Sequence, residues 1–281
     1  MTSASQPDTS CYCGGRFSRI GPSFRSQWGI VRIVSCTCCG VSRASDVPTV
    51  EVLHQLYAGA SVYRPPTSGA FAEQKKRFSS MPDELARFGF RTGRVLDVGC
   101  NAGYALSAFE DAGWQTTGIE ANLAVASTAA TLIEGEIHHD LSALGTDRRF
   151  EVVLLSHVLE HILEPRDFLR KLVSYLVPRG LIVVLVPNYG SLVIRYGLGG
   201  RWSGFIPVQH IWYFTNNTLK KLLGFEGFST SWIGTTEFLS FQSSSVIKSV
   251  LKSPVVIAQH LLPLQGGELR GIFRLERKPL S

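Results

Sequence analysis

The stretch from Arg94 to Tyr104 carries the clearest chemical pattern in the chain, and it reads RVLDVGCNAGY. Its short apolar run holds one carboxylate, Asp97, and leads into a glycine turn and then into residues that can open a helix. This order predicts a strand, a tight turn and a helix N-terminus, where backbone N–H groups and the helix dipole face a ligand. We expect Gly99 and Gly103 to let the backbone come close to that ligand.

The glycine spacing and the charge indicate the kind of ligand. The glycines read G-x-x-x-G, whereas dinucleotide-binding folds carry G-x-G-x-x-G, and a carboxylate at the turn would repel a pyrophosphate. A negative group at this point suits a cationic or zwitterionic ligand. An ordinary strand–turn–helix corner without a ligand is the alternative.

Further polar residues follow other predicted strands at the same relative position. Glu120 follows Asp97 at close to the spacing at which an acid hydrogen-bonds a ribose diol. Asp140 follows a short strand and is placed to accept from an adenine amino group. The full set at predicted strand ends is Asp97, Glu120, Asp140, Ser156 and Asn188.

Two cysteine knuckles precede this region, and each is followed by glycine. The second has the C-x-x-C-G spacing of a zinc ribbon, whereas the first reads C-x-C-G-G, with Ser10 where a ligand would normally fall. We expect one tetrahedral zinc ion, and its ligands are Cys11, Cys13, Cys36 and Cys39. The alternative is a degenerate ribbon without metal, or reduced buried thiols. A ribbon this small has almost no core of its own without the ion.

The elements that must position these residues alternate regularly from Arg94 onwards. Predicted strands cover 94–98, 115–119, 136–138, 150–156 and 181–186. Predicted helices cover 103–112, 122–133 and 165–176. A Pro-Arg-Gly turn at 178–180 is expected before the last of these strands. The alternation indicates an α/β fold with a parallel sheet wound on both faces, whose site lies at the carboxyl ends of the strands.

Length and composition limit the class of protein. The 281 residues, 44% of them hydrophobic, suffice for one large α/β domain and a small appendage. The net charge is +6, but acidic and basic residues are interleaved, so no nucleic-acid partner is expected. The polar start predicts no signal peptide, and the apolar runs are too short to span a bilayer. We therefore expect a cytoplasmic protein, where clustered cysteines favour metal over disulfides.

The expected domain organisation follows from these patterns. A zinc-ribbon-like module covers 1–45, a linker with a helical cap covers 46–92, and the α/β domain covers 93–281. Within the linker, 70–88 has helical spacing interrupted by Pro82, and this segment either caps the ligand pocket or is a solvated helix. Two insertions, 188–214 and 235–266, are expected on the substrate side of the domain.

Several blocks together resemble the class I S-adenosylmethionine-dependent methyltransferases. The blocks are VLDVGCNAG at 95–103, GIE at 118–120, FEVVLLSHVLEH at 150–161, LVPRGLIVV at 176–184, and QHIWYFT at 209–215 with LKKLLGFEGF at 219–228. The HVLEH run is similar to a subgroup that includes ubiquinone-pathway O-methyltransferases. A ribbon of cysteine knuckles ahead of such a domain is similar to enzymes of polysaccharide and secondary-metabolite clusters.

The resemblance implies a Rossmann-like, seven-stranded sheet whose last strand, near Glu268 to Arg277, is antiparallel. It also implies S-adenosylmethionine as cofactor, and the ammonium and sulfonium of that molecule suit an acidic crevice at Asp97. The residues expected to bind the cofactor are Asp97, Gly99, Cys100, Asn101, Gly103, Glu120, Asp140, Ser156 and His157.

Methyl transfer to a hydroxyl benefits from positioning and from a base with a pKa near neutral, and three histidines are candidate site residues, of which His161 and His210 are assigned to the chemistry. His161 is the first candidate for base or substrate ligand, and a structural histidine bonded to a backbone carbonyl is the equal alternative. His157 is expected to shape the cofactor pocket, with the backbone of Ser156. His210 lies in an aromatic loop, 202–214, that either binds the acceptor or forms a hydrophobic lid.

The second insertion contains an apolar segment, 238–263, with lysines at 248 and 252. Packing against the core or a partner subunit is the favoured interpretation of its helical face, and a lipid-linked substrate or the membrane surface is the alternative. The sequence does not identify an oligomeric state.

The sequence as a whole predicts transfer of a methyl group from S-adenosylmethionine to a small-molecule, sugar or lipid-linked acceptor, with a hydroxyl as the expected target. One alternative is a non-catalytic, cofactor-binding scaffold or regulator that acts through its zinc module. The other is a nucleotide-dependent oxidoreductase on a similar sheet, against which the missing G-x-G-x-x-G counts.

Overall fold

The structure is a computed structural model, and it describes residues 10–26, 29–49, 51–53, 65–191, 194, 206, 209–236 and 266–276. Its main element is a seven-stranded sheet. The strands of this sheet are β4 (Arg94–Val98), β5 (Gln115–Ile119), β6 (Glu136–His138), β7 (Phe150–Ser156), β8 (Leu176–Pro187), β10 (Phe228–Thr236) and β11 (Glu268–Leu275). The spatial order is β10-β11-β8-β7-β4-β5-β6.

The pairing of the strands confirms the predicted fold class. β4 lies at the switch of the strand order and pairs in parallel with β5 on one side and with β7 on the other. β11 pairs antiparallel with both β8 and β10, so it is the antiparallel strand that the sequence led us to expect near residue 268. The crevice at the carboxyl end of β4 is therefore the expected ligand position in a doubly wound sheet.

Six helices connect and cover the strands in the described part of the chain. They are α1 (Ser68–Lys76), α2 (Met81–Ala86), α3 (Tyr104–Asp111), α4 (Leu123–Leu132), α5 (Pro165–Tyr175) and α6 (Asn216–Phe225). Two single 3₁₀ turns, Leu141–Ala143 and Leu159–His161, follow β6 and β7. Pro82 lies in the first turn of α2, where its missing N–H costs no hydrogen bond, so the predicted interruption separates α1 from α2.

The two faces of the large sheet carry different sets of buried side chains. Val95, Val152 and Val183 pack on one face, whereas Leu96 and Val153 alternate with them and pack on the other. This alternation along buried parallel strands is what a sheet covered on both sides requires.

The N-terminal residues form a second, four-stranded antiparallel sheet. It contains β1 (Phe17–Ser26), β2 (Gly29–Cys36), β3 (Ser42–Ala44) and β9 (Trp212–Tyr213), in that order. We call β1, β2, β3 and the cysteine turns beside them the ribbon. β9 comes from the region assigned to the α/β domain by sequence, so the two parts of the chain share one sheet.

One predicted turn is wrong. Residues 178–180 lie inside β8 rather than before it, and the pairing with β7 passes from Phe150↔Leu176 to Val152↔Leu181. The intervening residues form a bulge, in which Arg179 has a positive φ of 61°. Proline and glycine mark an interruption of the ladder here, but the strand continues on both sides of it.

Some expectations lie outside the described residues. They are the polar start of the chain up to residue 9, the apolar segment 238–263 with its two lysines, and most of the loop between 195 and 208. Among the helices that the structure does describe, none is long and apolar enough to cross a bilayer.

Candidate functional site

A cavity of about 680 Å³ opens at the carboxyl ends of β4, β5 and β7. The loop after β4, the loop after β5 and the segment after β7 line three of its sides, and α1 with the residues after it lines another. The lining includes seven of the nine residues expected to bind a cofactor, namely Asp97, Gly99, Cys100, Asn101, Glu120, Ser156 and His157. The helix predicted as a cap contributes Gln74, and Arg77 and Phe78 follow it.

Asp97 is the most unusual group in this cavity. Its side chain is 2% exposed, and its Oδ1 atom has no hydrogen-bond partner among the described residues. Burial, and then the neighbouring charge of Glu120, raises the pKa of this carboxyl to about 8. A buried carboxylate without a donor is costly, so the site favours a ligand that brings a positive charge or donors.

Glu120 is held by backbone N–H groups from two turns. Its Oε2 accepts from the N–H of Asn101 at 3.0 Å, and its Oε1 accepts from the N–H of Asn122 at 2.9 Å. Each carboxylate oxygen has further acceptor capacity, which suits the vicinal hydroxyls of a ribose. The positive φ of Asn101, 52°, belongs to the same tight turn.

Gly99 and Gly103, the two glycines of the turn, are required by the backbone conformation and by neighbouring side chains, in addition to the ligand contact expected from the sequence. Gly99 and Gly103 have positive φ values of 76° and 84°, and a Cβ atom at Gly99 would lie 2.6 Å from Val158. A Cβ atom at Gly103 would lie 2.7 Å from Ile133. Both positions therefore require glycine because a side chain of the protein itself lies close to the backbone there. Gly103 does not line the cavity.

Asp140 also lies away from the cavity lining. Its Oδ1 accepts from the N–H of Ser142 at 2.7 Å and caps the 3₁₀ turn after β6. This hydrogen bond is the first cause of the lowered pKa of Asp140. Its contact with an adenine amino group stays a prediction.

His157 lies between two buried carboxylates. Its Nε2 is 2.6 Å from Oε2 of Glu268, and its Nδ1 is 3.3 Å from Oε1 of Glu160. Burial alone would lower the pKa of His157, but the hydrogen bonds and charges of Glu160 and Glu268 raise it to about 10. Glu268 also pairs with Arg77, at 3.3 Å. His157 is thus a cation at neutral pH, and it fits a role in shaping the pocket better than a role as base.

The hydrogen bond of His161 goes to a main-chain oxygen, whereas that of His157 goes to a carboxylate. Nδ1 of His161 donates to the main-chain oxygen of Gln209 at 2.8 Å, so in the neutral ring Nε2 is the unprotonated nitrogen. His210 packs edge-on against it, with ring centres 4.7 Å apart, and is buried. The two histidines expected to act on the acceptor are therefore brought together, with His161 in the cavity lining and His210 against it.

Glu160 completes this group. Its side chain is 1% exposed, and its Oε1 lies 4.0 Å from Nε2 of His161. Burial alone would raise the pKa of Glu160, but His157, His161 and His210 lower it. The carboxylate, His161 and His210 place their ligand atoms within 4.8 Å of one another, the spacing of a small metal site.

Sequence reasoning missed Glu160 and Glu268. A glutamate in the apolar context of Val-Leu-Glu-His was a usable signal for burial, because a charged residue between buried neighbours needs partners. Glu268 had no such signal, because its partner His157 lies 111 residues earlier in the chain.

The four predicted cysteines meet in one cluster. All four sulfur atoms lie within 4.8 Å of one another, with Cys11 and Cys39 at 3.7 Å and Cys13 and Cys36 at 3.5 Å. Sulfur atoms around a tetrahedral zinc ion are about 3.8 Å apart, given a Zn–S distance of about 2.3 Å. The residues present therefore fit such an ion, in spite of the irregular first knuckle.

Backbone groups favour thiolates in this cluster. The N–H of Gly15 points to Sγ of Cys13, and the N–H of Cys38 points to Sγ of Cys36, both at 3.4 Å. The hydrogen bond between Cys11 and Cys39 lowers the pKa of Cys39 to about 5 and raises the pKa of Cys11, so one thiol of this pair ionises readily and the other keeps its proton. The cluster could hold a zinc ion.

Comparison with known sequences gives a family. A sequence model described as a methyltransferase domain matches residues 73–230. Among curated relatives, the ubiquinone biosynthesis O-methyltransferase of Rickettsia typhi is 26% identical over 153 residues, covering 47% of this chain and 62% of that relative. The corresponding enzyme of Rhodopseudomonas palustris strain HaA2 is 31% identical over 107 residues, covering 34% and 40%. The matched part of the chain therefore spans 62% and 40% of the length of these two relatives, less than two thirds in both cases.

Comparison with solved structures shows the same fold. The plantazolicin methyltransferase BpumL in complex with SAH is 18% identical with a TM-score of 0.53, covering 80% of this chain and 95% of that one. An S-adenosylmethionine-dependent methyltransferase from Clostridium acetobutylicum is 9% identical with a TM-score of 0.51, covering 72% and 92%. The family match takes in β4 to β9, all three loops at the acidic crevice and more than half of the 281 residues, and this chain therefore belongs to the methyltransferase-domain family.

Proposed function

We propose that this chain transfers a methyl group from S-adenosylmethionine to a hydroxyl of a small-molecule, sugar or lipid-linked acceptor. The observation that carries the proposal is the buried, unpartnered Oδ1 of Asp97 in a cavity at the switch point of the sheet. A ligand with an ammonium group supplies the missing partner, whereas a pyrophosphate does not. The complex of the structural neighbour BpumL with SAH supports this choice of cofactor.

Each cofactor-side residue has a distinct part in this proposal. Asp97 pairs with the ammonium group of the methionine end, and Glu120 accepts from the ribose hydroxyls. The turn at Cys100 and Asn101 and the backbone at Ser156 bound the space between them. When bound, S-adenosylmethionine supplies an electrophilic methyl group on a sulfonium.

The acceptor side handles the proton of the incoming hydroxyl. His161 accepts that proton at Nε2, because Nδ1 is already protonated and bonded to Gln209. Glu160, 4.0 Å from Nε2, stabilises the imidazolium that forms. His210 packs on the ring of His161 and limits its rotation. Placing the hydroxyl in line with the sulfonium supplies much of the rate.

We propose that the ribbon binds one zinc ion through Cys11, Cys13, Cys36 and Cys39. Keeping these thiols reduced requires a reducing compartment, for which the cytoplasm is the natural choice. The ubiquinone-pathway enzymes among the relatives, named as O-methyltransferases, support a hydroxyl as the target.

The test is calorimetric titration of the full chain with S-adenosylmethionine and, separately, with NAD. We expect binding of S-adenosylmethionine alone, and an affinity at least about tenfold lower in Asp97→Ala because one charged hydrogen bond is lost. Folded wild-type protein that binds NAD instead, or neither ligand, would contradict the proposal.

Turnover is then measured as release of S-adenosylhomocysteine with a panel of phenols, sugars and lipid-linked sugars. His161→Gln is expected to lower turnover by about 100-fold or more, with cofactor affinity unchanged. Each assay is run with and without added divalent transition-metal ions, since Glu160, His161 and His210 have the spacing of a metal site and imidazole nitrogens bind such ions. Equal loss of cofactor affinity in His161→Gln would remove it from the acceptor side.

A further inference from the structure

The ribbon is continuous with the main domain rather than tethered to it. β3 pairs antiparallel with β9, in the register Ser42↔Tyr213 and Arg43↔Trp212, and the N–H of Ala44 donates to the oxygen of Ile211 at 3.2 Å. Buried ribbon residues join the core cluster that covers one face of the large sheet. They include Cys11, Phe17, Cys36, Cys39 and Val41. The core that the ribbon lacks by itself is therefore supplied by the main domain.

β9 and the residues before it are hydrogen-bonded to the 159–162 segment, which carries His161 and which we call the acceptor-side loop. The N–H of Ile211 donates to the oxygen of Glu160 at 2.8 Å, and Nε1 of Trp212 donates to the oxygen of Ile162 at 2.7 Å. Nδ1 of His161 donates to the oxygen of Gln209. Three consecutive residues of the 159–162 segment are thus bonded to one short segment, 209–212.

The cysteine turns contact the same region. Nζ of Lys221, on α6, donates to the oxygen of Cys39 at 3.0 Å. The ring of Tyr12, between the first two cysteines, packs edge-on against Trp212 with centres 5.2 Å apart. Arg166, on α5, donates to the oxygen of Tyr12 at 3.2 Å. The first knuckle therefore contacts Trp212 of β9, and the 159–162 segment is hydrogen-bonded to the same residue.

We propose that the cysteine ribbon is a positioning element of the acceptor side and that Trp212 is its positioning residue. The second knuckle, 36–40, fixes β3, β3 fixes β9, and β9 sets the orientation of the His161 ring through Gln209 and Trp212. This inference rests on the proposed function for the role of His161. It predicts that loss of the knuckle geometry disturbs His161 and leaves the cofactor side unchanged.

Among the described residues, no side-chain hydrogen bond joins the ribbon to Asp97 or Glu120. The side chain of Glu120 accepts from the N–H groups of Asn101 and Asn122, and Asp97 lies on β4, which pairs with β5 and β7. Since distant sites with no shared partners behave independently, changes in the ribbon that leave the chain folded should leave cofactor affinity within about twofold.

The experiment observes His161 directly, without an acceptor. Protein labelled with ¹⁵N-histidine is examined by two-bond ¹H–¹⁵N correlation spectra, which show which ring nitrogen carries the proton. The His161 signal is identified by its loss in His161→Gln. In the zinc-loaded chain we expect the Nδ1–H form, because the Gln209 oxygen can only accept.

The decisive variant is Trp212→Phe, since removing the metal can unfold the whole chain. This change keeps an aromatic ring against Tyr12 and leaves the backbone pairing with β3, but it removes the N–H that holds the oxygen of Ile162. We expect zinc content and S-adenosylmethionine affinity to be kept, while the His161 signal moves toward the mixture of tautomers of an unrestrained imidazole.

The matched control is Trp114→Phe. Trp114 is equally buried, at 4% exposure, but its Nε1 has no hydrogen-bond partner among the described residues. The same substitution there should leave the His161 signal where it is. A zinc-loaded, cofactor-binding Trp212→Phe chain with an unaltered His161 signal would overturn the positioning role.

Cys36→Ser tests the other end of the chain of contacts. If the variant still binds S-adenosylmethionine and is therefore folded, we expect loss of zinc and the same shift of the His161 signal. The signal of His138, on β6, serves as the internal control and should not change. An unchanged His161 signal in zinc-free protein would also overturn the proposal. Failure of the wild type to bind S-adenosylmethionine would contradict the proposed function alone, because the His161 signal reports positioning without any cofactor.

Discussion

The two sides of the cavity are built in different ways. On the cofactor side, Asp97 and Glu120 come from neighbouring strands, and the hydrogen bond from Asn101 to Glu120 spans 19 residues of sequence. On the acceptor side, the bond from His161 to Gln209 spans 48 residues, and the bond from the pocket-shaping His157 to Glu268 spans 111. One side is local in sequence, and the other depends on contacts that only the complete fold brings together.

The two sides also differ in their electrostatics. Asp97 is left without a partner for Oδ1, and burial works against its ionised form. Glu160 and Glu268 are as deeply buried, but histidines and Arg77 compensate their charges. Asp97 thus lacks both a counter-charge and a partner for Oδ1, whereas Glu160, whose two oxygens also lack a hydrogen-bond partner among the described residues, has the charges of histidines around it. Replacing Asp97 by a neutral residue should therefore stabilise the cofactor-free chain, whereas removing a carboxylate from the histidine network should destabilise it.

The largest expected effect is a gain of stability in Asp97→Asn. The folded-state pKa of Asp97 is raised from 3.8 to about 8, so ionisation of this carboxyl destabilises the fold increasingly between those two pH values. In cofactor-free protein at a pH near 8, the variant should unfold at a temperature about 5 to 10 °C higher, a shift that corresponds to several kcal/mol. Scanning calorimetry from about pH 4 to pH 8 measures it.

The sign of the pH dependence is the sharp part of this prediction. The difference between the variant and the wild type should vanish near the ordinary pKa of an aspartate and grow as the pH rises toward 8. Saturating S-adenosylmethionine should reverse it, because the ligand stabilises the wild type alone. A variant less stable than the wild type without ligand would show that Asp97 has a partner in the protein itself.

The difference between the two sides also explains what the sequence could predict. The alternation of strands and helices from Arg94 predicted the parallel sheet, because hydrophobic periodicity is a local signal. The antiparallel last strand was implied by the family resemblance. The acids at strand ends were found from the same local alternation. Asp140 follows a strand as well, but its side chain caps the next turn, and strand position alone does not distinguish these two outcomes.

The parts of the fold that the sequence did not predict depend on contacts between residues far apart in the chain. Periodicity gave no indication that Trp212 and Tyr213 would complete a sheet with residues 42–44, since the strand is only two residues long. The bulge at 178–180 was misread as a turn, because proline and glycine mark both. The cysteine cluster was predicted in spite of the irregular spacing of its first knuckle. Four cysteines in two pairs already indicate a tetrahedral site, and the number of residues within one pair matters less.

A smaller effect is expected when the histidine network is broken. Glu268→Gln removes the carboxylate that pairs with His157 and Arg77 and should destabilise the chain by about 1–3 kcal/mol, the usual contribution of charged hydrogen bonds. Because the pKa of His157 is raised from 6.5 to about 10, its contribution is complete below 6.5 and is lost as the pH approaches 10.

Urea unfolding just below pH 6.5 and near pH 10 tests this dependence. The difference between wild type and Glu268→Gln should shrink at the higher pH to the part that Arg77 supplies. The matched control is Glu276→Gln after the same strand, where the carboxylate is exposed and pairs with Arg179. The control should change stability little at either pH. A pH-independent difference at Glu268 would mean that His157 is not charged in the fold.

The smallest effect is expected at Asp140, and it tests the boundary of the cofactor side. Its Oδ1 caps the turn at Ser142 and its side chain does not line the cavity. Asp140→Ala should therefore lose about 1 kcal/mol of stability as a lost cap. Affinity for S-adenosylmethionine should stay within about twofold, as for a site without shared partners. Calorimetry with S-adenosylmethionine distinguishes this from the adenine contact expected from the sequence, which requires a loss of about tenfold, equal to one hydrogen bond to a charged group. A loss of that size would mean that the turn after β6 opens when the cofactor binds, and the cofactor side would then extend to a third strand end.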